Sequence, residues 1–375
     1  MQHWVGAVVN LQVGGKLLGL ATFAALLFTA PLSPVRADEE IPTYKTLTCG
    51  HECPQITKPV LINDPSINFP NQYRGLNTVY VEGLVDVRYT IGADGRVTDA
   101  SIEQLLGPQE FADRALADVR ARQYKPALEN GTPVAVNWRV RFMFRIKDAE
   151  QGAREQVVKA YHHAVLLADE DKLADAIAAL EAIEKEPDLN FYERTMTARV
   201  LAVFYARTED YDDALKQIRI ATIEDGAFLS APERVPAIRL RMDAEAQVGN
   251  WAEALAWFEI LKKYTDVAAD DHAAALASQI HALIDGTAPI VLATKIPADT
   301  PQEWQHTLLR RSFSFAGVEG KLGNFALRCD VHGIESAVSD KANWTVPGSW
   351  SGCTIYVEGA PGTRFKFVET RSTKS

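Results

Sequence analysis

The chain has 375 residues, of which 47% are hydrophobic and 23% charged, with a formal net charge of −10. This composition excludes a disordered or collagen-like chain, and the length is enough for two or three domains with their own cores. The acidity sits in residues 148–285, which carry 14 basic and 27 acidic side chains, so this region is not read as a ligand of nucleic acid or of an anionic bilayer.

Lys16 precedes an uncharged run from Leu17 to Leu32, and the small-residue ending Val35-Arg36-Ala37 follows. The pattern predicts a secretory signal over residues 1–37. The run is 16 residues long, short of the ~20 that a spanning helix needs; retention as an N-terminal membrane anchor is the alternative. Residues 38–59 read as a linker that holds Cys49 and Cys53. Four cysteines in an exported chain are expected to form disulfides, and proximity suggests Cys49 with Cys53 and Cys329 with Cys353, although three connectivities are open. A zinc site on Cys49, His51 and Cys53 lacks a fourth ligand, so no metal is expected there.

Residues 60–147 alternate between strand and helix patterns. Val85, Val87, Tyr89 and Ile91 point one way and Asp86, Arg88 and Thr90 the other, as a half-buried strand requires. Ala93-Asp94-Gly95 supplies a turn; placed as a calcium loop, it meets one of four ligand positions and is rejected as such. Val97 to Leu105 returns as a strand whose imperfect alternation allows a bulge. Pro108 then opens a helix with Phe111, Ala115 and Val119 on one face, expected to end at Tyr124-Lys125-Pro126. In the last strand Val134, Val136, Trp138, Val140, Phe142, Phe144 and Ile146 share a face, predicted to pack on the helix. Arg139, Arg141 and Arg145 share the other, predicted to face water.

Several of these pieces occur in a specific order: Phe69-Pro70, Gly83-Leu84-Val85, Asp94-Gly95-Arg96-Val97, the helix, the run from Tyr124 to Val134, and the closing strand to Phe144. Together they resemble the C-terminal domain of the TonB family of periplasmic energy transducers, with Arg122 standing where the family usually has tryptophan. The resemblance implies a small α+β domain whose final strand lies at a sheet edge. It also implies that an extended segment of an outer-membrane TonB-dependent receptor, or of another envelope protein, adds to that edge as a further strand. The residues implied in partner binding are Asn137, Arg139, Arg141, Met143 and Arg145, the arginines favouring an acidic partner. The expected role is a periplasmic protein of outer-membrane transport. The alternatives are an anchored energy transducer, an assembly scaffold and a cell-wall or glycan binder. Leu17 to Leu32 contains no histidine, and residues 38–59 hold no proline-rich array, which favours an accessory protein over a transducer.

Residues 148–285 change to a helical period. The segments DKLADAIAAL, EDYDDALKQI and GNWAEALAWF align with Leu173, Tyr211 and Trp251 in register. They resemble degenerate tetratricopeptide repeats, an all-α array that buries its faces against its neighbours and binds protein. Residues 286–375 consist of short β-rich runs separated by Gly, Pro, Ser and Asp, a pattern that predicts a small all-β domain. Trp344 and Trp350 are expected in its core near the disulfide; an aromatic platform for carbohydrate is the rival reading. The fold class is therefore multidomain: α+β, then all-α, then all-β.

Catalytic signatures are missing at the positions where they could be sought. GSWSG at 348–352 has tryptophan at its centre, His162 and His163 are adjacent rather than one turn apart, and Asp169-Glu170-Asp171 reads as a helix start. No catalytic residue, metal or cofactor is expected.

Overall fold

The computed structural model describes residues 56–63, 81–129, 131–145, 152–268, 271–298, 303–329, 333–340, 342–348 and 350–371. The N-terminal apolar run, Cys49, Cys53, Phe69-Pro70 and Ile146 lie outside the described residues.

The first unit contains β1 (Ile56–Thr57), β2 (Val60–Asn63), β3 (Gly83–Ile91), β4 (Val97–Leu106), α1 (Gln109–Ala121), β5 (Gln123–Lys125), β6 (Ala127–Glu129), β7 (Thr132–Val134) and β8 (Val136–Phe144). Its main sheet has the order β4-β3-β8, all antiparallel. The period of two in β3 buries Val85, Val87, Tyr89 and Ile91 completely or nearly so, against Phe111, Ala115 and Val119 of α1. Phe111 and Phe144 stack with ring centroids 4.2 Å apart. The expected irregularity of β4 is present as register shifts between Asp86 and Val87 and between Arg88 and Thr90. The helix ends earlier than its pattern predicts. Arg122 is already extended, and Gln123–Lys125 pairs with β2 as β5. Gly95 is required at its turn. Its φ is +77°, and a Cβ there would lie 1.9 Å from the Tyr124 carbonyl oxygen.

The second unit is helical from Glu155 to Asp285: α2 (Glu155–Asp169), α3 (Leu173–Glu184), α4 (Phe191–Arg207), α5 (Tyr211–Ala221), α6 (Ile223–Gly226), α7 (Ala231–Gln247), α8 (Trp251–Leu261) and α9 (His272–Asp285). The three aligned segments begin α3, α5 and α8 at Leu173, Tyr211 and Trp251. Each follows a longer helix with which it forms a hairpin. Ala176, Ala214 and Ala254 are all buried, and a small side chain lets neighbouring helices approach closely. Asn190 and Glu193 form a capping box at the start of α4. Asp169-Glu170-Asp171 closes a helix rather than opening one: α2 ends at Asp169, and Asp171 takes φ 61° to turn the chain into α3.

The third unit is a sandwich of two four-stranded antiparallel sheets. One has the order β10 (Glu303–Thr307), β15 (Thr354–Gly359), β12 (Leu322–Arg328), β13 (Gly333–Ala337). The other has the order β14 (Asn343–Thr345), β11 (Ser312–Glu319), β16 (Arg364–Thr370), β9 (Ile290–Lys295). Phe313, Phe315, Phe325 and Phe367 fill the space between them. Cys329 and Cys353 are joined by a disulfide. Trp344 and Trp350 belong to this core, which removes the exposed aromatic platform.

Candidate functional site: an open strand edge and its arginine face

β8 is the outermost strand of its sheet. Its inner edge pairs with β3 from Gly83↔Phe144 to Ile91↔Val136, and among the described residues no strand pairs with its outer edge. Alternate residues of such a strand direct N–H and C=O groups away from the sheet, a ready template for one more strand. The core face of β8, with Val136, Trp138, Val140, Phe142 and Phe144, lies on α1 and holds the strand in place.

The opposite face carries the residues that the resemblance implicates, and the structure places them against the rest of the chain. Asn137 lies across from Thr90. Arg139 donates to Glu103 of β4 at 2.9 Å and to the Tyr356 hydroxyl of β15 at 2.8 Å, with its guanidinium 4.8 Å from the Tyr356 ring centre. Arg141 makes a bidentate pair with Asp86, at 2.8 and 2.7 Å. Met143 packs into the cluster that contains Leu84, Phe191 and Phe228, and the Arg145 guanidinium lies 5.2 Å from the Phe228 ring centre. Arg88 of β3, directly across from Arg139, donates to Glu103 and to both carboxylate oxygens of Glu303 in β10, at 3.2 and 2.9 Å.

The arginine ladder is therefore not simply offered to water, as the alternation in the strand predicts. Each arginine remains partly exposed but is matched within the molecule, because two other units fold onto this face. Burial works against the Arg88 charge, but the hydrogen bonds to Glu303 and Glu103 outweigh it and hold its pKa above the ordinary arginine value. For Arg141 the hydrogen bond to Asp86 is the leading cause of a rise in the same direction. Glu103 could have been found from its place in a polar strand face. Glu303, Tyr356 and Phe228 carry no local signal, since they lie far away along the chain.

A buried titratable pair elsewhere is His306 with Glu369, 2.7 Å apart and linking β10 to β16 across the sandwich. Both side chains are almost wholly excluded from solvent, and Glu369 also accepts the Arg310 backbone N–H at 2.6 Å. A substrate has no access to this pair as it stands, and it acts as a tie between sheets.

Compared with known proteins, the sequence model of the family described as Gram-negative bacterial TonB protein C-terminal matches residues 73–146, about a fifth of the chain. No curated protein matches the chain.

Proposed function

We propose that residues 60–147, through the part that is similar to the TonB C-terminal family, form a strand-accepting module of a periplasmic protein in outer-membrane transport. The observation that carries this reading is the outer edge of β8, open among the described residues in the segment with the family likeness. The partner is an extended segment of an outer-membrane receptor or of another envelope protein. It would pair its backbone with β8 while alternate side chains meet the two faces of the sheet. The function is binding, with no catalytic group, metal or cofactor. The helical unit, which resembles degenerate tetratricopeptide repeats, and the sandwich hold the module and shape its surroundings.

The test is photocrosslinking in cells from position 141, where the arginine side chain is 44% exposed. Met143 is the poorer site because it packs against the helical unit. Capture of one envelope protein through a single extended segment, identified by mass spectrometry, is the expected result. Capture that scatters over unrelated surfaces, or none at all, would overturn strand addition at β8. The N-terminus of the captured chain separates the two cellular forms. Asp38 as first residue means a released periplasmic protein, and a retained Leu17 to Leu32 means an inner-membrane anchor.

A further inference from the structure

The three units close on one another through three junctions, two built on apolar clusters and one on charged and polar side chains. The first sheet meets the helices through Leu84, Leu106 and Met143 against Phe191 and Phe228. The helices meet the sandwich through Ile290, Leu292 and Leu309 against Met242 and Ile280. The third junction joins the first sheet to the sandwich, and among the described residues no apolar cluster spans it. It is made by Arg88 with Glu303 and by Arg139 with Tyr356. Apolar junctions hold at any ionic strength, whereas partly exposed charge pairs weaken as salt screens them. The third junction is thus the one that salt weakens most.

We propose that Arg88 and Arg139 form a carboxylate-binding site that Glu303 fills from within the chain, and that this contact is a latch displaced by an acidic segment of a partner protein. Arg88 and Arg139 sit directly across from each other, an arrangement of like charges that needs carboxylates to be stable. Glu103 touches both arginines from the same sheet. Glu303 is the second carboxylate and comes from another unit, on the outer strand of its own sheet. When Glu303 leaves, Arg88 and Arg139 share the single carboxylate of Glu103, and one of these two positive charges lacks a counter-charge. An incoming carboxylate restores the balance, and the fork of Arg88 accepts it in the geometry that Glu303 now uses.

The site rests on the strand-accepting reading only in naming the occupant as a peptide segment. The full chain and its Glu303→Gln and Tyr356→Phe variants are compared by hydrogen exchange at residues 303–307 and 354–359, in low salt and at about 1 M salt, where the Debye length is about 3 Å. Exchange there should rise about fivefold in either variant and in high salt, equivalent to the loss of about 1 kcal/mol, while α4 and α7 report unchanged folding. Oligoglutamate peptide serves as the probe of the site. It should bind Glu303→Gln about tenfold more tightly than the unchanged chain, lose binding with Arg88→Ala, and raise exchange at 303–307 in the unchanged chain. Exchange that is indifferent to salt and to both variants would overturn the latch. Exchange that rises without tighter oligoglutamate binding would overturn the carboxylate site. Either failure leaves crosslinking at β8 free to succeed, so it is distinguishable from failure of strand addition.

Discussion

At the scale of single residues, side chains far apart in sequence decide local character. Arg122 sits 2.8 Å from Asp118 and 5.1 Å from the Phe142 ring centre, so it covers an aromatic in the core as well as pairing an acid. His272 and Asp243 are 3.1 Å apart between α9 and α7. The hydrogen bond to Asp243 raises the His272 pKa above its ordinary value, and burial raises that of Asp243. Both groups bind their protons more tightly folded than unfolded. For the histidine, the stability contribution is complete below about pH 6.5 and is lost as pH rises through its raised folded value. The buried aspartate adds a cost in the same direction as it loses its proton. Thermal unfolding followed from mildly acidic to mildly alkaline pH should therefore show a decline that flattens in His272→Gln, which keeps a hydrogen-bond donor without the titration. An unchanged pH profile in that variant would remove the pair as the cause.

At the scale of elements, local pattern and long-range closure contribute separately. The strand from Gly83 to Ile91 and the start of the helix after Pro108 follow from apolar spacing, and both are found where that spacing puts them. The starts of α3, α5 and α8 follow likewise from the alignment of Leu173, Tyr211 and Trp251. Helix α1 stops short of Tyr124 because Gln123–Lys125 finds a β partner in Val60–Asn63, a residue range no local window contains. The Cys329–Cys353 disulfide closes a loop of 24 residues in the sandwich. Replacing both cysteines with alanine should cost about 3 kcal/mol, chiefly by freeing the unfolded loop. Denaturant unfolding with tryptophan emission as the signal would measure it, and a loss below about 0.5 kcal/mol would show that the sandwich core closes that loop unaided.

At the scale of the whole molecule, the units share cores rather than hang from linkers. Leu84 is fully buried, yet it belongs to the cluster of Phe191, Ala198 and Phe228 in the helical unit. The Glu82 carboxylate accepts the Phe191 N–H at 3.0 Å beside it. Arg310 of the sandwich donates to carbonyls at and beyond the end of α9, Leu283, Gly286 at 2.9 Å and Ala288 at 2.6 Å. Leu84→Ala should therefore lower stability by about 2–5 kcal/mol and loosen the first junction, seen as faster hydrogen exchange in both β3 and the start of α4. Faster exchange confined to β3 would mean that the units are independent.

The division of labour between sequence and tertiary structure follows from range. Sequence by itself determined the three successive periods, the Gly95 turn, the apolar faces and the ordered pieces that resemble the TonB C-terminal domain. Each of these depends on residues a few positions apart or on one strand's alternation. Only the tertiary structure decided what lies on the arginine face of β8, because Glu303 stands 215 positions from Arg88 and Tyr356 217 positions from Arg139, and they reach them through the packing of other units. A polar strand face reads the same in sequence whether water or another domain covers it, since both satisfy the same charges.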